Sequence, residues 1–177
     1  MSRSILIAGI GNIFNRDDGF GVAVASRLAG AELPDNVRVR DFGIRGFDLV
    51  MALLDGNDLT IFVDAVSRGG APGTLYAIEP DPQELGGGAD AGMVENAHGL
   101  DPVKVLQTAA SLGAVIGRVV VVGCEPATLG DDTGHIGLSQ PVEAAVDPAI
   151  EMIHSLINDF NQHWTETGVQ SGKASVT

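Results

Sequence analysis

The chain has 177 residues, enough for one domain with a substantial core and too few for two independent ones. A content of 45% hydrophobic and 19% charged residues, with a mean hydropathy of +0.21, excludes a disordered or fibrous polypeptide. Ten Lys and Arg against 23 Asp and Glu give a formal net charge of -13, which argues against nucleic acid or an anionic membrane as partner, and the single cysteine, Cys124, excludes an internal disulfide or a cysteine-held metal centre.

The apolar run that begins at Ile5 is too short, and too soon interrupted by Gly9, to be a secretory signal. No stretch approaches the roughly 20 apolar residues of a spanning helix, so a cytoplasmic location is expected. Ile5-Leu6-Ile7-Ala8 has the unbroken apolar character of a strand buried on both faces and is expected at the centre of a sheet. A polar loop, Asn12 to Asp18, leads into a helix with small and apolar residues at Gly21, Val22, Ala25, Leu28 and Ala29. Val37 to Arg40 alternates with a period of two, as an edge or near-edge strand does, and ends at Asp41. Phe47, Val50, Met51 and Leu54 have the spacing of one apolar face of a short helix, stopped by Gly56.

Leu59 to Val63 is a third strand, ending at Asp64, and Thr74 to Ile78 a fourth, entered through the turn Ala71-Pro72-Gly73. Pro80 to Gly92, with three consecutive glycines, reads as a surface loop. Asp101-Pro102 supplies the cap and first position of a helix reaching about Leu112, and Val119 to Val122 is a buried strand. The last helix starts near Ser139 and carries Val142, Val146, Ala149, Ile153, Ile157 and Phe160 on one face, with Pro148 expected to kink or restart it. Residues 1–163 are expected to form the domain and 164–177 a disordered tail. Strand and helix alternate along the chain, which predicts a single-domain three-layer α/β/α sandwich around a mostly parallel sheet.

Ligands of such sheets lie beyond the carboxyl ends of the strands. Aspartates stand at three of those ends: Asp17 and Asp18 after the first strand, Asp41 after the second and Asp64 after the third. His98 immediately precedes the Asp101-Pro102 helix start. Two carboxylates and an imidazole from separate loops form a donor set for a divalent transition ion, with positions left open for water or substrate. His135, His154 and His163 are assigned loop and helix positions outside this set, and Cys124, with no histidine beside it, an inert buried role. A glycine turn between a strand and a helix also raises a dinucleotide-binding oxidoreductase as an alternative. Phe14 at the third fingerprint position and Asp17-Asp18 at the helix start speak against it.

Gly9-Ile10-Gly11-Asn12 with Asp17-Asp18-Gly19-Phe20-Gly21, then Asp41-Phe42-Gly43-Ile44-Arg45-Gly46, then Val63-Asp64-Ala65, resemble the hydrogenase maturation protease family, endopeptidases that trim the C-terminus of the large subunit of nickel–iron hydrogenases. Pro72-Gly73-Thr74, His98-Gly99-Leu100, Gly123 with Glu125-Pro126, and His135 to Ser139 extend the resemblance in order to about residue 160. It implies that nickel, carried by the large-subunit precursor, is recognised by Asp18, Asp64 and His98. Asp17 is the alternative to Asp18, whose arm is one methylene shorter than the glutamate often found at that place. The resemblance also implies a polarising or base role for Asp41. Gly43 and Gly46, on either side of Arg45, would let the backbone approach an extended substrate peptide, with Arg45 available to a substrate carboxylate. The expected protein is a monomeric endopeptidase; a non-cleaving scaffold for the same nickel-loaded precursor is the alternative.

Overall fold

In the computed structural model, which describes residues 3–81, 100–131 and 133–170 (side chains to 162), the first apolar run forms β1 (Ile5–Ile10), buried along its whole length. β2 (Val37–Gly43) and β3 (Asn57–Ala65) flank it, both parallel to it. β4 (Leu75–Ile78) pairs antiparallel with β5 (Ile116–Cys124), which is parallel to β3, so the sheet runs β2-β1-β3-β5-β4. The central strand is therefore β3 rather than β1. Both are covered on two faces, and an apolar run reports that cover without ranking the strands it belongs to. β2 takes the edge that its alternation predicts, with Arg38 and Arg40 exposed.

Among the described residues four helices cover the sheet: α1 (Phe20–Leu28) and α4 (Gln140–Gln170) on one face, α2 (Gly46–Leu54) and α3 (Pro102–Ser111) on the other. Successive residues of β1 serve opposite cores, as the two-residue period of a strand requires. Ile5 and Ile7 pack with Phe20, Val24 and Leu28 and with Val142, Val146 and Ile153. Leu6, Ala8 and Ile10 pack with Leu49, Leu53, Leu106 and Ala109. The three-layer sandwich is thus the observed architecture.

α4 does not restart at Pro148, because Val146, Ala149 and Ile153 carry one buried face across it. It continues through Gln170, past the end of the domain expected from sequence, and residues 171–177 lie outside the described residues. The apolar face of α2 is also not the expected one. Leu49, Val50, Ala52 and Leu53 are buried, whereas Phe47 is 74% and Met51 48% exposed. Because α2 is apolar on almost every side, its spacing fits more than one stripe, and the sheet buries only one of them. Among the described residues no helix is long and apolar enough to cross a membrane.

One close approach positions the functional end of the sheet. A Cβ on Gly21 would lie 2.0 Å from the Val63 carbonyl oxygen and 2.3 Å from that of Ile10, so α1 begins almost in contact with the ends of β1 and β3.

Candidate active site

The chain leaves β1 towards β2 on one side and leaves β3 towards β5 on the other, so the carboxyl ends of β1 and β3 bound a crevice where the strand order diverges. After β1 a single turn of 3-10 helix, Arg16–Gly19, carries the paired aspartates. It is entered through Arg16, whose φ of 54 is the one left-handed non-glycine conformation among the described residues and whose amide donates to the His135 carbonyl at 2.9 Å.

The turn sends Asp17 and Asp18 to different surroundings. Asp17 is fully buried. Its Oδ2 accepts from the amides of Ala127 (2.8 Å) and Thr128 (3.0 Å) and from the Ser139 hydroxyl (2.8 Å), and its Oδ1 accepts from the Ser139 amide (2.6 Å). Four donors occupy the lone-pair positions of that carboxylate and join the β1 loop to the 127–128 loop and to the start of α4. Asp17 is thereby held in structural hydrogen bonds, which favours Asp18 of the two as the candidate ligand. Asp18 is half-buried and accepts the Asn12 amide at 2.8 Å.

Asp64 ends β3 with its side chain buried, accepting the amide of Ala65 at 2.9 Å. Burial, then the negative charge of Asp18, push its carboxyl well above the usual aspartate range; the Ala65 amide opposes them, and Asp101 adds a smaller push upwards. Two carboxylates within electrostatic reach, one buried and one half-buried, suit a divalent cation, which would relieve both their repulsion and the desolvation of Asp64. Asp101 caps α3, accepting from the Val103 amide at 2.9 Å, and brings the start of that helix towards the crevice. His98, the third expected ligand, lies outside the described residues. Among the described residues no three His, Cys, Asp or Glu side chains are grouped as a metal site.

Asp41 is exposed near the end of β2, paired with Gly9. One residue further the ladder slips: Ile10 pairs with Gly43, and Phe42 is the extra residue of a bulge. Gly43 makes that bend at φ 53, and its carbonyl accepts the Gly11 amide at 3.0 Å. Arg45 closes the following turn, donating to the Asp41 carbonyl and pairing with Asp48 at 3.4 Å. The space beside Gly46 is occupied by Leu100, whose Cδ1 would stand 3.1 Å from a Cβ there. The donors of the glycine turn are used internally: Gly11 to Gly43, Asn12 to the Asp18 carboxylate, and Phe14 to Asn12 Oδ1 at 3.0 Å. These three amides are not available to a pyrophosphate, which speaks against the dinucleotide alternative.

Two features escape the strand-end reasoning. Glu125, just past β5, is buried and accepts from the amides of Arg68 (2.8 Å) and Gly69 (3.2 Å) and from the Tyr76 hydroxyl (2.8 Å). Burial alone would raise its carboxyl, but the Arg68 amide, the Tyr76 hydroxyl and the neighbouring glycine amides outweigh it and lower the pKa. The only sequence signal for this latch on the loop that follows Asp64 is the Glu125-Pro126 motif. The second feature is apolar: Ile13, Phe14, Ile44, Leu129 and Ile136 are exposed on loops and turns that follow the strands, and Phe47 on the first turn of α2. Cys124 is buried, with its thiol pushed up to about 12 by burial and then by the charges of Asp17 and Glu125, and is the inert residue expected.

The hydrogenase maturation protease family model matches residues 22–156. Hydrogenase expression/formation protein HupM of Azotobacter chroococcum is 38% identical over 150 residues, spanning 84% of this chain and 69% of its own length. Hydrogenase expression/formation protein HupD of Rhizobium leguminosarum bv. viciae is 36% identical over 148 residues, spanning 83% and 70%. Among solved structures, the hydrogenase maturating endopeptidase HybD of E. coli superposes with a TM-score of 0.70 at 28% identity, covering 88% of this chain and 93% of that one. The [NiFe] hydrogenase maturation protease HycI of Thermococcus kodakarensis KOD1 gives 0.67 at 26% identity, with the same two coverages of 88% and 93%.

Proposed function

The chain belongs to the hydrogenase maturation protease family, endopeptidases that process a hydrogenase large-subunit precursor at its C-terminus, and from that premise we propose that it uses Asp18, Asp64 and His98 to recognise nickel carried by the precursor before cutting it. The observation that carries this reading is the buried Asp64 carboxyl, raised by its burial and by the Asp18 charge. Left alone, the pair is electrostatically unfavourable. A dication presented by the precursor makes it favourable, so a loaded precursor is held and an empty one is not. Nickel is here part of the substrate.

Once the precursor is held, the chemistry is a hydrolysis beside the carboxylates. Asp41, exposed to water near the end of β2, takes a proton from the attacking water. The water oxygen adds to the scissile carbonyl carbon, the C–N bond breaks, and the leaving amine takes up the proton. Fixing the peptide in the crevice supplies the proximity that makes a single carboxylate sufficient as base. The Phe42 bulge and the left-handed Gly43 turn the chain beside Asp41, where a substrate peptide would approach.

The test is the mass of the precursor after incubation with the purified protein, in nickel-loaded and nickel-free forms. Loss of a C-terminal peptide from the loaded form alone is expected. Equal cutting of both forms would overturn the nickel gate, and binding without any mass change would return the scaffold alternative. Asp64→Ala and His98→Ala should each abolish processing while the circular dichroism of the fold is retained; full processing by either would remove that residue from the site.

A further inference from the structure

We propose that two apolar banks on either side of the carboxylates form the docking surface for the large-subunit precursor and grip apolar stretches of its polypeptide flanking the peptide to be cut. The inference rests on the family reading and assigns residues to it outside the carboxylate set. The first bank is Phe14, Leu129 and Ile136, on two loops joined backbone to backbone: the His135 amide donates to the Phe14 carbonyl at 2.7 Å, and Asn15 and His135 form a parallel bridge. The second bank is Ile44, Phe47 and Met51, on the turn after β2 and, four residues apart, on the outward face of α2. The Gly11 amide on the Gly43 carbonyl ties the β2 turn to the loop that carries Asp18, so both banks are continuous with the crevice.

Three observations favour the precursor as occupant. Large apolar side chains standing in water on anchored backbone are what a protein partner covers, and their ordering is already complete before it arrives. Their placement is one-sided: apart from Ile13, which adjoins the first bank, the remaining exposed large hydrophobics among the described residues are Leu112 and Val115, at the opposite, amino end of β5. The enzyme acts on a protein, and a pair of carboxylates offers that protein a charge contact without apolar area, which is the usual source of protein affinity.

The experiment measures KM and kcat for processing of the nickel-loaded precursor, with thermal unfolding in parallel. The variants are Phe14→Ser with Ile136→Ser, Ile44→Ser with Phe47→Ser, and, as control, Leu112→Ser with Val115→Ser. Each bank variant should raise KM by about tenfold or more, with kcat and unfolding as in the parent, and the control should match the parent throughout. The single variants Phe47→Ser and Ile136→Ser replace a double variant that fails to fold. Parent-like KM in both bank variants, while Asp64→Ala blocks cleavage, would overturn the docking surface and leave the family reading intact. An equal rise in KM in the control would overturn it as well. Failure of the parent itself to cut any precursor would overturn the reading and the inference together.

Discussion

Asp17 is buried and accepts its hydrogen bonds from residues 110 to 122 positions further along the chain, Ala127 and Thr128 on an exposed loop and Ser139 half-buried. Replacing it with alanine strands the amides of Ala127, Thr128 and Ser139 and should cost about 3 kcal/mol in urea unfolding. Asp18→Ala, losing the bond to the Asn12 amide, should cost about 1 kcal/mol yet abolish processing. Comparable destabilisation by the two would contradict this division of roles. Asp64 adds a pH dependence whose sign follows from its environment. Its carboxyl is raised by burial and by Asp18, so the native protein keeps a proton that the unfolded chain has lost. That contribution is fully present below the ordinary aspartate pKa and is lost as pH rises towards the native value. Asp64→Asn should therefore be more stable than the parent at neutral pH, converge with it in acid, and be inactive. Denaturant unfolding across that range checks it, and a variant that loses stability with pH as steeply as the parent would assign the slope to another group.

At the scale of elements, Gly21 seats α1 against the ends of β1 and β3. Gly21→Ala would force α1 away from the Val63 and Ile10 carbonyls and should lower stability by about 3 kcal/mol, seen as a reduced urea midpoint. β1, β3 and β5 were legible as apolar runs and β2 as a two-residue alternation, and the strand-end rule brought Asp18, Asp41 and Asp64 to the same end of the sheet. What local pattern could not carry is anything decided by a distant partner. Asp17 and Asp18 are chemically identical neighbours, and only the approach of Ala127 and Ser139 separates the latch from the proposed ligand. α2 shows the same limit, since its sequence offers several apolar stripes and the position of the sheet selects Leu49, Val50 and Leu53. Glu125 resembles any surface glutamate until the Arg68 and Gly69 amides and the Tyr76 hydroxyl converge on it.

Across the whole molecule, cohesion and recognition occupy different regions. The two cores lie on opposite faces of the sheet, while the carboxylates and apolar banks gather at the carboxyl ends of the strands. Among the described side chains the last of α4 in the core is Phe160. Removing residues 164–177 should therefore leave unfolding within about 0.5 kcal/mol of the parent and processing unchanged; a larger loss in either would extend the working domain past residue 163. Removal of α4 itself is a different matter, because Ile5 and Ile7 are covered by residues that include Val142, Val146 and Ile153. On the ribosome the first strand is made long before its cover. At typical rates of elongation the wait is roughly 7–27 s, during which α1 alone covers that face and the area meant for α4 is open to chaperones and to other nascent chains. A message truncated within the α4 coding region should accordingly yield a fragment for the cell's degradation machinery rather than a smaller enzyme.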